Sequence, residues 1–297
     1  MENLSRRSFI QRTTGIAAAA FGAPLLNPFA TAVAAPVSKM RFGLVTYQWG
    51  QDWDLPTLIA NCEKAGIPGV ELRVEHKHGV MPDLNAQQRE EVKKRFADSK
   101  VVCLGPGTNE CYDSPDPDEL NKRIEATKAF VLLSRDIGAS GVKVKPNAFH
   151  DGVPHEKTIE QIGKSLNIVG AFAADHGQRI RLEVHGSGTQ ELPNIKAIMD
   201  VADNPNVFVC WNSNDEDLKG QGLENNFNLV KGRLGDTAHV RELNMGDYPY
   251  QELMNLFVKM DYAGWILLEG RTKPEDRVKA LIEQREVFEK MIANTQA

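Results

Sequence analysis

Residues 159–185 read IEQIGKSLNIVGAFAADHGQRIRLEVH, and this stretch carries the pattern that decides the fold. Apolar residues recur at steps of three and four from Ile159 to Ala173, which predicts a helix with one apolar stripe. The short apolar run Ile180–Val184 follows, and it has the length of a buried parallel strand. The stretch therefore predicts a helix that leads directly into a buried strand.

The chain repeats this alternation of strand and helix eight times, with no shift in composition along the way. The predicted strands are Arg41–Thr46, Gly69–Val74, Val101–Gly105, Gly141–Lys145, Ile180–Val184, Val207–Cys210, Ala238–Leu243 and Gly264–Leu268. Eight repeats favour a closed barrel over an open doubly wound sheet, and residues 35–297 approach the roughly 250 residues of one such barrel. The sequence therefore predicts a single α/β domain, a (β/α)8 TIM barrel, over residues 35–297.

Composition and charge exclude several classes of function. The chain has 297 residues, 41% of them hydrophobic and 25% charged, as in ordinary globular proteins. The formal net charge is −5 and no block of basic residues occurs, so no nucleic-acid partner is expected. The four cysteines show no CxxC spacing, which argues against a zinc ribbon or a thioredoxin site. Cys62, Cys103 and Cys210 lie in apolar segments and are predicted to be buried thiols.

The first 34 residues are interpreted as an export signal. Arg6-Arg7 precede Ser-Phe-Ile, a small and apolar run extends from Gly15 to Leu26, and an Ala-rich segment follows. This order resembles a twin-arginine (Tat) signal, which implies passage of the folded protein through the Tat translocase to the periplasm or beyond. Cleavage is expected after Ala34. The apolar run is too short for a stable membrane anchor, and the alternative interpretation is an amphipathic N-terminal helix.

Polar residues concentrate where the predicted strands end. The carboxyl ends of the strands in a barrel of this kind form one face, and active sites are built there. Alternation along a strand places Glu183 and His185 on the same side, and inward charges are costly unless they are paired or bind a metal. The polar residues at or just after these ends are Glu71, Arg73, His76, His78, Lys143, Lys145, Glu183, His185, Asn212, Asp215, His239, Arg241 and Glu269.

Four successive strand ends offer one nitrogen and three oxygen ligands to a divalent ion: Glu183, Asn212, His239 and Glu269. Each feature alone also has a structural interpretation. A histidine at a strand end can simply form hydrogen bonds, the Glu-Val-His segment can form a salt bridge, and the two lysines of the fourth strand can pair with nearby carboxylates. The joint pattern predicts a metal site.

The order of these strand-end motifs resembles the sugar phosphate isomerase/epimerase family, the xylose-isomerase-like TIM barrels. The resemblance covers Met40 to about Ile292 and implies one divalent metal ion (Mn, Mg, Co or Zn). The family's metal ligands on strands five, seven and eight match Glu183, His239 and Glu269. The motifs are Gly69-Val-Glu-Leu, Leu182-Glu-Val, His239-Val-Arg and Leu268-Glu-Gly.

The sixth strand departs from the family pattern, which is Asp-x-x-His. This chain has Asn212-Ser-Asn214-Asp215 instead. Asn212 can still ligate a metal through its carbonyl oxygen, although it is neutral, whereas Asp215 cannot replace the substrate-binding histidine. After strand two, Arg73, His76 and His78 resemble a motif of exported members.

The resemblance implies proton transfer next to the carbonyl of a free sugar or keto-sugar, through an enediolate. Glu183 and Glu269 are then the catalytic residues. A lyase or hydrolase acting on keto-glycosides and a non-catalytic sugar-binding barrel remain as alternatives, and a homo-oligomer is left open. A phosphodiesterase acting on abasic DNA is opposed by the acidic charge. The predicted substrate-binding residues are Glu71, Arg73, His76, His78, Lys145, His185, Asp215 and Arg241.

Overall fold

The computed structural model describes residues 38–295, and in them eight parallel strands close into a barrel. The strands are β1 Arg41–Val45, β2 Gly69–Arg73, β3 Val102–Cys111, β4 Gly141–Lys145, β5 Arg179–Glu183, β6 Val207–Asn212, β7 Leu234–Val240 and β8 Trp265–Leu268. They follow chain order around the barrel, and β1 closes it against β8 with Arg41 beside Trp265. The predicted (β/α)8 TIM barrel is confirmed.

Helices connect the strands on the outside of the barrel. The α-helices of the described residues are α1 Tyr47–Gly50, α2 Leu55–Ala65, α3 Ala86–Ala97, α4 Pro117–Asp136, α5 His155–Asp175, α6 Leu192–Val201, α7 Leu223–Val230, α8 Tyr250–Lys259 and α9 Arg277–Thr295. Two short 3-10 helices, Asp215–Leu218 and Lys231–Arg233, lie on either side of α7. Among residues 38–295, no helix combines the length and the apolarity needed to cross a membrane.

The apolar stripe of α5 is buried as its spacing predicts. Ile162, Leu166, Val169 and Ala173 are fully buried in the main hydrophobic core. Because these residues lie one or two turns apart on one face, burying them fixes α5 against the barrel and so fixes the start of β5.

Two strands differ from the sequence prediction by three or more residues at an end, and the other strands agree to within two residues. β3 continues to Cys111, six residues beyond its predicted end, and β7 begins at Leu234 rather than Ala238 and ends at Val240. The first half of β7 contains Asp236, which accepts hydrogen bonds from Arg179 and Arg181 on β5. A charged residue inside a strand breaks the apolar pattern, and its partners are distant in sequence.

The predicted buried thiols are confirmed, because Cys62, Cys103 and Cys210 are buried and free. The predicted export signal, residues 1–34, lies outside the described residues.

Candidate active site at the carboxyl end of the barrel

Five polar residues from β2, β5, β6, β7 and the end of β8 meet inside the barrel mouth. Glu71, Glu183, Asn212 and His239 are at most 2% exposed, and Glu269 follows directly after β8. The backbone N–H of Glu269 donates to the carbonyl of Val240 at 2.7 Å, which fixes it beside the end of β7. The closed barrel thus brings together residues that are up to 198 positions apart, Glu71 to Glu269.

Three of these residues form a cluster with the chemistry of a metal site. One ligand atom each from Glu183, His239 and Glu269 lies within 4.8 Å of the others. Two carboxylates and one imidazole suit a hard or borderline divalent ion. The predicted fourth ligand, Asn212, adjoins the cluster, and its amide nitrogen donates to Glu183 Oε1 at 2.8 Å.

His239 is held between two carboxylates. Its Nε2 lies 3.3 Å from Glu71 Oε2, and its Nδ1 lies 3.5 Å from Glu183 Oε1. Nδ1 is buried without a hydrogen-bond partner. An imidazole that donates one N–H to a carboxylate and keeps the other nitrogen free is the usual arrangement of a metal-binding histidine. The orphaned Nδ1 therefore fits a cation bound with Glu183 and Glu269.

A proton competes with a cation for this imidazole. Burial lowers the pKa of His239, but the neighbouring Cys210, Glu71 and Glu183 outweigh burial and raise the pKa well above its ordinary value. Because a histidine ligand must be neutral, metal binding at this site releases a proton and becomes stronger as the pH rises.

Lys143 on β4 forms a buried ion pair with Glu183. Its Nζ lies 2.6 Å from Glu183 Oε2, both side chains are 1% exposed, and Nζ also donates to the carbonyl of Thr108. Burial raises the pKa of Glu183, but Lys143 and His239 hold it well below its ordinary range. Pairing with a carboxylate is one of the interpretations that the sequence allows for the two lysines of the fourth strand, and Lys143 has such a partner.

Glu269 has the opposite electrostatic environment. Burial, followed by the charge of Glu183, raises the pKa of Glu269. The two carboxyl groups thus differ in their affinity for a proton, which is the arrangement that separates an acid from a base in one site.

A second layer of polar groups lies above the carboxylates. Arg73 Nη1 and Lys145 Nζ both donate to Asn109 Oδ1, at 2.8 and 3.0 Å. Burial, followed by the charge of Lys143, lowers the pKa of Lys145 to about 8. His185 is partly buried, and its Nδ1 has no partner. Arg73 and Lys145 end β2 and β4, and His185 follows β5, so they belong to the carboxyl-end face where barrels of this kind bind their substrates.

Comparison with known proteins agrees with this architecture. The model of the family described as "Xylose isomerase-like TIM barrel" matches residues 59–291. The chain belongs to this family. A search of curated proteins gives no match.

Several solved structures share the xylose isomerase-like fold with this chain. A structure of L-ribulose 3-epimerase is 16% identical, with a TM-score of 0.74, and the match covers 86% of this chain and 95% of that one. The 3-keto-D-glucoside 4-epimerase of E. coli is 14% identical, with a TM-score of 0.72 and coverages of 84% and 99%. D-Psicose 3-epimerase from Clostridium cellulolyticum H10 is 15% identical, with a TM-score of 0.69 and coverages of 85% and 98%. At these identities the likeness establishes the fold.

In this xylose isomerase-like barrel, two predicted substrate-binding residues do not join the cluster. His78 is buried in the loop after β2, where its Nε2 bonds the carbonyl of Arg73 and its Nδ1 accepts from the N–H of Val80. Both ring nitrogens are therefore engaged by the loop. Asp215 begins a 3-10 helix, and its side chain is 86% exposed, 4.0 Å from Arg241 at the rim.

His76 lies in the same loop after β2 as His78. Its Nδ1 contacts Thr46 Oγ1 at 3.1 Å, and burial, followed by the charge of His78, lowers its pKa to about 4. The ring is therefore neutral at ordinary pH, which leaves it able to donate or accept a hydrogen bond.

The sequence leaves carboxylate pairing open for Lys143 without naming its partner, and it assigns no role to Asn109. Lys143 shares a strand face with Lys145, so alternation alone was the available signal. Asn109 belongs to the part of β3 beyond its predicted end, so no sequence signal placed it at the barrel mouth.

Proposed function

We propose that this protein is a metal-dependent sugar isomerase or epimerase acting on a free sugar or keto-sugar. The observation that carries the proposal is the cluster of Glu183, His239 and Glu269, with ligand atoms within 4.8 Å of one another at the carboxyl end of the barrel. Family membership and the three epimerase structures of the same fold support it.

Glu183, His239 and Glu269 would hold the cation, with Asn212 beside them. A bound divalent ion supplies Lewis-acid polarisation of a carbonyl oxygen and the adjacent hydroxyl. Glu71 orients His239, and Lys143 keeps Glu183 ionised and fixed in place. Asn212 donates to the other oxygen of Glu183, so both oxygens of this carboxylate are positioned.

The two carboxyl groups would move the proton. One carboxylate takes the proton from the carbon next to the carbonyl, the electron pair of that C–H bond forms a C=C double bond, and the π pair of the carbonyl moves onto its oxygen to give an enediolate. The other carboxyl group returns a proton, either to the opposite face of the same carbon, giving an epimer, or to the neighbouring carbon, giving an isomer. Lys145 and His185 would stabilise the negative charge that develops.

A second candidate is a lyase acting on keto-glycosides. The enolate of a 3-keto-glucoside can expel a glycosidic group from the carbon two positions away, with the same base. A 3-keto-D-glucoside 4-epimerase shares this fold, which favours including this substrate class. An exported protein meets free sugars and glycosides more than sugar phosphates, so the predicted export signal points the same way.

Proton exchange tests the proposal directly. The purified protein is incubated in D2O with ketohexoses and with 3-keto-glucosides, and deuterium at the α-carbon is followed by NMR. We expect exchange with one substrate class. Exchange without release of an aglycone would mark an epimerase, and release of the aglycone would mark a lyase. Glu183→Gln and Glu269→Gln should each abolish exchange, while the exposed Glu160→Gln on α5 should not.

Metal content tests the cofactor separately. His239→Ala should lower the bound divalent metal at least about tenfold, the usual scale when a site loses needed support. The control is His155→Ala at the exposed start of α5. Unchanged metal stoichiometry by elemental analysis would remove His239 from the ligand set, and exchange that survives in both glutamine variants would contradict the acid–base assignment.

A further inference from the structure

The segment that begins with Glu269, residues 269–272, is held by a buried carboxylate from the neighbouring strand end. Glu242 follows β7 by two residues and is 5% exposed. Its Oε1 accepts from the backbone N–H groups of Arg271 and Thr272 at 2.9 and 2.7 Å, and from the Thr272 hydroxyl at 2.6 Å. Hydrogen bonds to an ionised acceptor are stronger than neutral ones, so Glu242 fixes the backbone two and three positions after Glu269.

Trp49 of α1 holds the same segment through its indole ring. Its Nε1 donates to the carbonyl of Thr272 at 3.0 Å. A Cβ on Gly270 would lie 2.7 Å from the indole, so the ring packs directly against the backbone there. The indole is itself buried in the main hydrophobic core. Together with the bond from the N–H of Glu269 to β7, a contact therefore fixes the backbone at each residue of the segment.

The carboxyl group of Glu269 depends on this backbone for its position. Lys143 and Asn212 each hold one oxygen of Glu183. In contrast, none of the side-chain hydrogen bonds and ion pairs found among residues 38–295 involves the carboxyl group of Glu269. Its place beside Glu183 and His239 therefore follows from the path of the chain after β8, and displacing a reacting group by about 1 Å can lower a rate about a hundredfold.

We propose that Glu242 is a positioning residue that holds the segment 269–272 so that Glu269 joins the cluster, with Trp49 as a second support. This inference rests on the proposed function, in which Glu269 binds the cation and moves a proton. The end of β7 then serves the cluster twice. It supplies His239 as a ligand and, three residues later, the carboxylate that fixes the backbone of another ligand.

Two substitutions of Glu242 separate position from charge. Glu242→Gln keeps an oxygen that can accept the same three hydrogen bonds and removes the negative charge, whereas Glu242→Ala removes the acceptor as well. A positioning role predicts that the glutamine variant stays close to the wild type and the alanine variant does not. Equal losses in both variants would mean that Glu242 acts through its charge and would overturn the inference.

Mn2+ affinity and α-proton exchange measure the effect. Glu242→Ala should weaken Mn2+ binding about tenfold, as followed by EPR spectroscopy, and should lower kcat for exchange about tenfold or more at saturating Mn2+, with a smaller change in KM. Glu252→Ala, at an exposed position of α8, is the matched control. Thermal melts confirm folding. If Glu242→Ala does not fold, Trp49→Phe, which removes only the bond to the Thr272 carbonyl, should show a smaller loss of the same kind.

A double-variant cycle shows whether Glu242 acts through Glu269. In the Glu269→Ala background, titrated into the millimolar range of Mn2+, Glu242→Ala should cause no further loss of affinity, because the side chain that it positions is gone. The same loss in both backgrounds, or unchanged Mn2+ affinity and kcat in folded Glu242→Ala, would overturn the inference. Failure of the proposed function is visible in the wild type itself, as the absence of bound Mn2+ and of exchange, and would remove this inference with it.

Discussion

Asn212 places a neutral amide in a cluster of two glutamates and a histidine. Its Nδ2 donates to Glu183 Oε1 at 2.8 Å, so an acid at this position would lie against a carboxylate. With an amide there, two carboxylates neutralise a divalent ion, and the ion keeps more of its pull on a developing negative charge. An acid in place of Asn212 would therefore raise metal affinity and lower the Lewis acidity of the ion, and the amide has the opposite effect on both.

We predict that Asn212→Asp raises metal affinity and lowers turnover. Without metal, the new carboxylate repels Glu183 and lowers the melting temperature. With metal, the added charge tightens binding, and the metal-induced rise in melting temperature exceeds that of the wild type. Metal titration, melts with and without metal, and kcat measure the three effects. Asn228→Asp on the exposed face of α7 is the control, and unaltered metal affinity in Asn212→Asp would exclude Asn212 as a ligand.

Lys143 is the second residue that sets the charge of the cluster, and its positive charge opposes the binding of a cation by Glu183. Its ammonium lies 2.6 Å from Glu183 Oε2. We predict that Lys143→Met destabilises the metal-free protein by about 3–5 kcal/mol, because it leaves a buried carboxylate unpaired, and that a divalent ion recovers much of this loss. The free energy of unfolding in urea, with and without Mn2+, measures both.

Lys164→Met is the matched control for that variant. Lys164 pairs with Glu160 on the surface of α5, and exposed pairs contribute about 0–1 kcal/mol. The control should therefore change little and should show no extra stabilisation by metal. If Lys143→Met gained no more from Mn2+ than the wild type, the metal would lie elsewhere than against Glu183.

The 3-10 helix after β6 supports the cluster from outside. Asp217 in this helix accepts from the backbone N–H of Asn214 and from the hydroxyl of Tyr248. The Asn214 amide in turn donates to the carbonyls of Val184 and Asn212. One buried carboxyl group thus fixes the segment that follows β6, and through it the backbone of Asn212.

Asp217 should make stability depend on pH. Burial raises its pKa to about 7, and its Oδ1 has no partner. A carboxyl group whose pKa is higher in the folded state stabilises the protein below its unfolded pKa, near 4, and this contribution is lost as the pH rises through about 7. We predict that Asp217→Asn removes this loss, on the order of a few kcal/mol.

The measurement is the free energy of unfolding in urea at pH 5 and pH 8, without metal. The wild type should lose stability between the two values relative to Asp217→Asn, whose amide oxygen can still accept from Tyr248 and Asn214. Asp151→Asn in the exposed loop before α5 is the control. Parallel pH profiles for wild type and Asp217→Asn would show that Asp217 is already ionised in the folded protein at pH 5.

How well the sequence predicts the structure differs from one element to the next. Apolar runs predicted β4 at its observed bounds and α5 with its buried stripe, because local pattern and tertiary burial coincide there. β3 was predicted too short because Gly105, Pro106 and Gly107 interrupt the pattern. A Cβ on Gly107 would come closer to Glu71 Oε1 than van der Waals contact allows, so this glycine makes room for a side chain of β2 that no local pattern reveals.

At the scale of the whole molecule, strand order carries most of what the sequence predicts about the site. Once eight strands close in chain order, their carboxyl ends must converge, and Glu183, His239 and Glu269 come together. The partners of these residues are harder to predict. Lys143 pairs with Glu183 and Glu71 faces His239 across the barrel, contacts that depend on which inward side chains share a layer.

The candidate ligands come from three different strands, and the Glu71 that contacts His239 comes from β2 across the barrel, so we expect the metal to bind the folded barrel. Loading before export therefore requires export of a folded protein, which is the route implied by Arg6-Arg7. We predict that replacing both arginines with lysine retains the precursor in the cytoplasm, folded and metal-bound. Cell fractionation and elemental analysis measure this, with Arg12→Lys as the control. Normal delivery of the double variant, lost only when the Sec pathway is blocked, would instead mean that the chain crosses unfolded and acquires its metal outside.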